Sequence, residues 1–290
     1  MQDVYEASDR ECIRYMGKQY GMTTKRKITL TFCAFIFLMS TNTQAQWREL
    51  DKGFTLGTFH SPLYSKNDSA QIRILRIDTK LYELRLLNAS HPNQGNSHTV
   101  QEWGQKEGMS AVINAAMYQT DYKSSVSLMK TSQHVNNPRI SKDNTILVFE
   151  PLKKNIAPVR LVDRQCDDFE NIRPNYGSMV QSIRMLSCGG KNVWQENGKR
   201  WSITAVGMDK QNNLLFIQST APHSVHEFVN ILRELPINID RAMYMEGGSP
   251  SQLYIAAPSD TMMFIGDFSS GGKSMSAPPL PNVIGVRKIR

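Results

Sequence analysis

From residue 53 onward the chain is cut into short apolar runs, each closed by Gly, Asn, Asp or Pro, and this punctuation limits what it can fold into. "GFTLGTFH" (53–60), "QIRILRID" (71–78), "YELRLLN" (82–88), "TILVFEP" (145–151) and "APVRLVD" (157–163) have the length and composition of strands. "MSAVINAAMY" (109–118) reads as a strand running into a loop, and "NYGSMVQSIRML" (175–186) as another strand. "WSITAVGM" (201–208) and "NLLFIQS" (213–219), separated by "DKQN", form a hairpin signal; "AMYME" (242–246), "QLYIA" and a closing "NVIGV" follow. Two windows have helix signals instead. Thr99 and Glu102 make a capping box for a short helix to about Glu107. Ser224 and Glu227 cap a second, through Leu235, with Val225, Phe228, Val229, Leu232 and Leu235 on one face. With no internal repeat and no linker rich enough to divide it, residues 46–290 are expected to be one α+β domain. Its core would be a mixed, mostly antiparallel sheet with a few packed helices.

The first 45 residues are expected to stand apart. Lys25, Arg26 and Lys27 precede the apolar run "ITLTFCAFIFLM" (28–39), and the polar "STNTQAQ" follows it. That order is the pattern of a secretory signal cleaved after Ala45. The run is shorter than the roughly 18 to 20 residues of a membrane span, so no stable span is expected. Residues 1–21 fit no part of a signal, and Met22 opens an ordinary one, which makes Met22 an alternative start. Loss of 1–45 takes the net charge from +8 to +6. The excess is spread out, with no Lys/Arg block of the kind that grips nucleic acid. Export leaves two cysteines, Cys166 and Cys188. They are either a disulfide, as an oxidising compartment favours, or two separate thiols. No CxxC or HExxH spacing is present, so no cofactor is predicted, although a divalent cation stays open.

The stretch that draws attention to chemistry is "MYMEGGSPSQLYI" (243–255). An apolar strand ends on Glu246 and meets Gly247 and Gly248, residues that take left-handed backbone angles cheaply. Glu246 is either a polar strand end or the centre of a site. Other polar residues have similar double readings. Asn114 either caps a turn or orients a ligand hydroxyl. Arg184 either pairs on the surface or clamps an anion. His223 and His226 stand at a helix start, where anions are welcome but where histidines are usually structural. Lys130 and His134 lie in the long polar stretch 119–144, and Asp209 is most simply a turn residue.

"VINAAMY" (112–118), "TAVGMDKQNNLLFIQS" (204–219), "AMYMEGGSPSQLYI" (242–255) and "PNVIGV" (281–286), in this order and spacing, resemble the phosphodiester glycosidase family over roughly 50–290. "YGSMVQSIRML" fits the place of the Gly-containing strand that precedes the family's central hairpin. The resemblance implies an α+β fold and hydrolysis of a sugar-1-phosphodiester to free sugar and phosphomonoester. The family usually has Asp in the place of Glu246 and commonly Arg in the place of Ile203, and Arg184 or Arg200 is the alternative source of that cation.

The chemistry fits the residues. A phosphate oxygen leaves as a stabilised anion, so such a bond needs less acid assistance than an ordinary glycoside. It needs one carboxylate, to attack or to activate water, and donors for the phosphate. Glu246 suits the first role, with Asn114 positioning the substrate. Arg184, Thr204, His223 and the Gly247–Gly248–Ser249 turn are the expected substrate-binding groups, the turn through its backbone N–H groups. The expected partner is a glycan or sugar phosphate of the envelope or extracellular space, met by an exported hydrolase. The alternatives are a glycan-binding module on the same fold and, more remotely, a metal-dependent phosphodiesterase.

Overall fold

The computed structural model describes residues 46–64, 70–266 and 276–289. The expected signal segment, its cleavage after Ala45 and most of the Gly/Ser-rich "GDFSSGGKSMSAPP" lie outside these residues. All the described residues belong to one compact unit.

Alternation does build the strands. In β3 (Gln71–Ile77) and β4 (Tyr82–Asn88) buried apolar positions alternate with polar ones for much of their length. Three sheets result. The first runs β1 (Gln46–Asp51), β2 (Phe54–His60), β3, β12 (Leu214–His223), β11 (Trp201–Asp209), β13 (Ile239–Gly247). The second runs β15 (Asp260–Ile265), β14 (Gln252–Ala257), β5 (Ala111–Asn114), β16 (Asn282–Lys288), β4. The third runs β7 (Val135–Asn137), β6 (Met129–Lys130), β10 (Tyr176–Ser182), β8 (Thr145–Pro151), β9 (Val159–Asp163). Every pair among the described strands is antiparallel.

One face of each sheet contributes to a shared core. Leu75, Phe216, Val206 and Met243 of the first sheet meet Ile113, Leu253 and Ile284 of the second, and Leu147 and Val180 of the third. The opposite face of the first sheet is covered by α3 (Val225–Glu234), which buries Val225, Phe228, Val229, Ile231 and Leu232. α1 (Val100–Glu107) packs Trp103 against Val112 and Tyr254 of the second sheet. Both helices begin in complete capping boxes, at Thr99/Glu102 and Ser224/Glu227. Each box satisfies two backbone donors that a bare helix start would leave open, and its Ser or Thr is worth about 1 kcal/mol.

Several elements differ from the sequence reading. β5 ends at Asn114, because Ala116 takes a left-handed backbone (φ 55°) that no strand continues through. The long polar stretch contains β6 and β7, and β10 stops at Ser182 rather than running on to 186. β1, β15 and the one-turn α2 (Phe169–Ile172) are additions. Cys166 and Cys188 form a disulfide that ties the segment after β9 to the loop beyond β10.

Candidate functional site

Glu246 owes its placement to a bulge. Val206 of β11 stands opposite Met243 and Ala205 opposite Tyr244, but Thr204 stands opposite Glu246, so Met245 is the extra residue. Simple alternation would set Glu246 on the face of Tyr244, beneath α3. A bulge re-aims the side chain that follows it and occurs often beside functional sites. The neighbouring strand supports the turn that follows. Gly248 has φ 69° and donates its N–H to the Ser202 carbonyl (2.9 Å), and Ser251 N–H bonds back to Gly248 O (2.9 Å). Gly266 N–H holds Ser251 O at 2.7 Å, and a Cβ on Gly266 would lie 2.4 Å from Gly248 O.

The Glu246 carboxyl is largely withdrawn from water. Its Oε1 accepts from Gly247 N–H at 3.0 Å, which favours the anion, but burial is the larger effect and raises its pKa above the ordinary carboxylate value. Two tyrosines feel its charge. Burial and then Glu246 push both Tyr118 and Tyr244 upward, so both stay protonated donors at neutral pH. The Tyr244 oxygen accepts from Trp201 Nε1 (3.0 Å), which leaves its own proton to donate. A carboxyl of raised pKa beside two phenols can take and return protons, and can orient a water or a sugar hydroxyl.

Thr204, and Asn114 behind it, support the backbone at Glu246. The Thr204 hydroxyl is 2.8 Å from Asn114 Oδ1 and 3.1 Å from the Glu246 carbonyl oxygen, and Gln252 N–H reaches Asn114 Oδ1 at 3.4 Å. Both side chains are buried, so their placement is that of positioning groups joining β5, β11, β13 and β14.

Three expectations are corrected by the packing. The Gly247–Gly248–Ser249 turn is no open phosphate nest: Gly248 N–H is taken by Ser202 and Gly247 N–H by Glu246. Gly247 is a glycine because the Trp201 ring fills the place of its side chain, and a Cβ there would fall 2.0 Å from Trp201 Cδ1. Ser249 accepts from Gln252 Nε2 through its carbonyl (3.5 Å). Arg184 is committed to a salt bridge, with Nη1 at 2.9 Å from Asp163 Oδ2 and 2.7 Å from Gln165 Oε1. His223 is fully buried: Nδ1–H faces the Ala221 carbonyl (2.8 Å) and Nε2 lies 2.7 Å from Ser61 Oγ.

The weaker candidates have local partners as well. Arg200 pairs with Glu227, His226 with the Trp194 carbonyl (2.7 Å), and His134 with Ser90 (2.8 Å). Lys130 lies in β6 opposite Met179. Asp209 is the turn residue expected, accepting from Gln211 and Asn213 N–H while pairing with Arg76 at 3.1 Å. Two clefts of about 450 and 640 Å³ are lined by other residues, among them Arg160 with Arg241 and Glu83 with Glu150; neither includes Glu246. The His/Cys/Asp/Glu cluster of metal-binding size among the described residues is Asp163 with Cys166 and Cys188. Its thiols are joined and its carboxylate is paired, so it does not suit an ion.

Tyr118, Trp201 and Tyr244 give no signal in the sequence, since aromatics in strand patterns look like ordinary core. His223 gives a separate prediction. Burial drops its pKa to about 4, so the folded protein binds fewer protons than the unfolded chain between pH 4 and 6.5. Stability from this group is present above pH 6.5 and is lost as pH falls through about 4, by about 3 kcal/mol in all. Urea unfolding across that range should show the fall, and His223→Gln should flatten it.

Comparison with known proteins fits this geometry. The family model described as phosphodiester glycosidase matches residues 107–287. Among solved structures, the catalytic domain of zebrafish N-acetylglucosamine-1-phosphodiester alpha-N-acetylglucosaminidase, auto-inhibited by its pro-peptide, is similar with a TM-score of 0.57 at 13% identity; 83% of this chain and 86% of that one are covered. A hypothetical protein from Synechocystis is similar at the same TM-score and 14% identity, over 85% of this chain. This chain spans 64% of the length of that protein. No curated protein matches in sequence. At these identities the structures speak for the fold alone; the family model covers more than half of the chain and includes Asn114, Thr204 and Glu246. The chain belongs to the phosphodiester glycosidase family.

Proposed function

We propose that the protein hydrolyses a sugar-1-phosphodiester, with Glu246 as the working carboxylate. The observation that carries this reading is a desolvated carboxyl of raised pKa that follows a bulge at a strand end and whose charge is felt by two phenols. Glu246, as carboxylate, takes a proton from a water. The water oxygen bonds to the anomeric carbon as the bond from that carbon to the phosphate oxygen breaks. The leaving phosphomonoester departs with the electron pair and needs no proton in the step, so a single carboxylate suffices where an ordinary glycoside requires two. Tyr118 and Tyr244 are the donors at hand for substrate oxygens, and Asn114 and Thr204 keep the bulge in register. Family membership and the likeness to the zebrafish enzyme support this substrate class, and make an N-acetylglucosamine-1-phosphodiester the first substrate to try.

The Cys166–Cys188 disulfide supports an exported protein acting on envelope or extracellular glycans, because such bonds persist in oxidising compartments. Among the described residues no helix is long and apolar enough to cross a membrane. The test is incubation with an N-acetylglucosamine-1-phosphodiester, following reducing sugar, with a sugar-free dialkyl phosphate as control. Sugar release without hydrolysis of the control is the expected result. Glycan binding without turnover of any sugar phosphodiester would replace hydrolysis with the binding-module reading. Hydrolysis of the control, abolished by a chelator, would point to a metal-dependent phosphodiesterase.

A further inference from the structure

A row of polar side chains crosses the first sheet where its core should be apolar. Arg73 of β3 stands opposite Gln218 of β12, Gln218 opposite Thr204 of β11, and Thr204 opposite Glu246 of β13. Neighbouring strands lie about 4.8 Å apart, so the row runs roughly 14 Å and ends at the candidate carboxylate. Arg73 is in phase with the core residues Leu75 and Ile77, and Gln218 with Leu214 and Phe216. Both therefore face the second sheet, and the Arg73 guanidinium carbon lies 4.0 Å over the Phe264 ring of β15.

Two of these side chains, Arg73 and Gln218, are not fully matched by the protein. Gln218 is wholly buried, and neither its Nε2 nor its Oε1 has a partner. Arg73 Nη2 donates to Gln71 Oε1 (2.7 Å), but Nη1 is buried and unpartnered. No carboxylate pairs with this guanidinium among the described residues, and burial lowers its pKa only to about 10, so it stays charged. Beside Thr204, Asn114 Nδ2 is unpartnered, and so is the hydroxyl of Ser251, which precedes Gln252, the residue bonded to Asn114. Folded proteins leave very few such atoms, because each forfeits its hydration without a bond in return. Leu at 218 would continue the apolar phase and avoid that cost. Buried waters would satisfy an amide or a hydroxyl, but would leave the cation unbalanced.

Four donors of this kind, one of them cationic, are the complement of a phosphate group. We propose that Arg73, Gln218, Asn114 and Ser251 form an anion pocket that holds the phosphate of the substrate beside Glu246. The pocket rests on the sugar-phosphodiester reading of Glu246 and deepens it by assigning the phosphate end. Arg73 lies outside the stretch matched by the family model, residues 107–287, so its cation does not come from the matched part of the chain.

The test is calorimetric titration of the full chain with inorganic phosphate, alongside kinetics on an N-acetylglucosamine-1-phosphodiester. Wild type should bind phosphate. Arg73→Leu and Gln218→Leu should each weaken binding at least tenfold and raise KM for the diester by a similar factor. Gln218→Leu should unfold at the same or a higher temperature, which keeps the test decisive if Arg73→Leu fails to fold. Arg73→Lys retains the charge without the fork and should fall between. Absence of phosphate binding by wild type, or unchanged binding and KM in Gln218→Leu, overturns the pocket, even where sugar is released. Phosphate binding that Gln218→Leu abolishes, in a protein that releases no sugar, upholds the pocket and removes the hydrolase reading.

Discussion

Glu246→Gln should lower kcat for sugar release by about 10²- to 10⁴-fold and leave the fold as stable as the wild type or more so. The two halves of this result have one cause. Gln keeps an oxygen to accept from Gly247 N–H, so the bulge and the turn retain their support. It cannot take a proton from water. In the wild type, burial raises the Glu246 pKa, so the folded state favours the protonated carboxyl. The stability this group contributes is complete below its unfolded pKa and is lost as pH rises through the raised folded value. Gln is neutral throughout and escapes that loss, so thermal or urea unfolding near neutral pH should show no deficit. A variant dead and destabilised together would make Glu246 a structural strand end. The same shift sets the expected pH profile: in the proposed mechanism the carboxylate is the active form, so wild-type kcat/KM should fall as pH drops through the raised Glu246 pKa.

Gly247→Ala should be damaging in a different way. The added methyl would sit 2.0 and 2.1 Å from Trp201 Cδ1 and Nε1 and 2.6 Å from the Tyr244 hydroxyl oxygen. The indole has to move, and overpacking of this kind costs about 3 kcal/mol, at the upper end of its usual range. Trp201 holds Tyr244, and Glu246 is the preceding residue, so the displacement reaches the site. A shift of about 1 Å there lowers kcat by about 10²-fold. Because the fault is steric, Trp201→Leu should recover part of the stability in the double variant, and a double-mutant cycle measures the coupling. Additive losses would show that Gly247 matters for some reason other than the ring beside it.

These two residues also show what the sequence discloses. The positions with strong local causes were legible: the two capping boxes, the alternation of β3 and β4, the Asp209 hairpin and the glycine turn after Glu246. Family resemblance pointed to Glu246, Asn114 and Thr204, and the fold brings them together through Thr204. The face Glu246 occupies was not legible, because the bulge depends on the register between β11 and β13, strands some 40 residues apart in the chain. From the sequence, Gly247 and Gly248 look like backbone open to a ligand. The structure fills the first with an indole from β11 and the N–H of the second with a carbonyl of the same strand. Arg184 and His223 found partners, Asp163 and Ser61, far from them in sequence. One signal was present in the pattern itself. Arg73 and Gln218 interrupt core-facing phases that are otherwise apolar, and a polar residue in such a phase is costly unless something pairs with it.

In the proposed mechanism water attacks the anomeric carbon of a sugar phosphate with the help of Glu246. Hydrolysis of an N-acetylglucosamine-1-phosphodiester in ¹⁸O-enriched water, with mass analysis of both products at short times, tests it most directly. Attack at carbon puts the label in the anomeric hydroxyl of the released sugar and none in the phosphomonoester. Label in the phosphate would place the attack at phosphorus and contradict it.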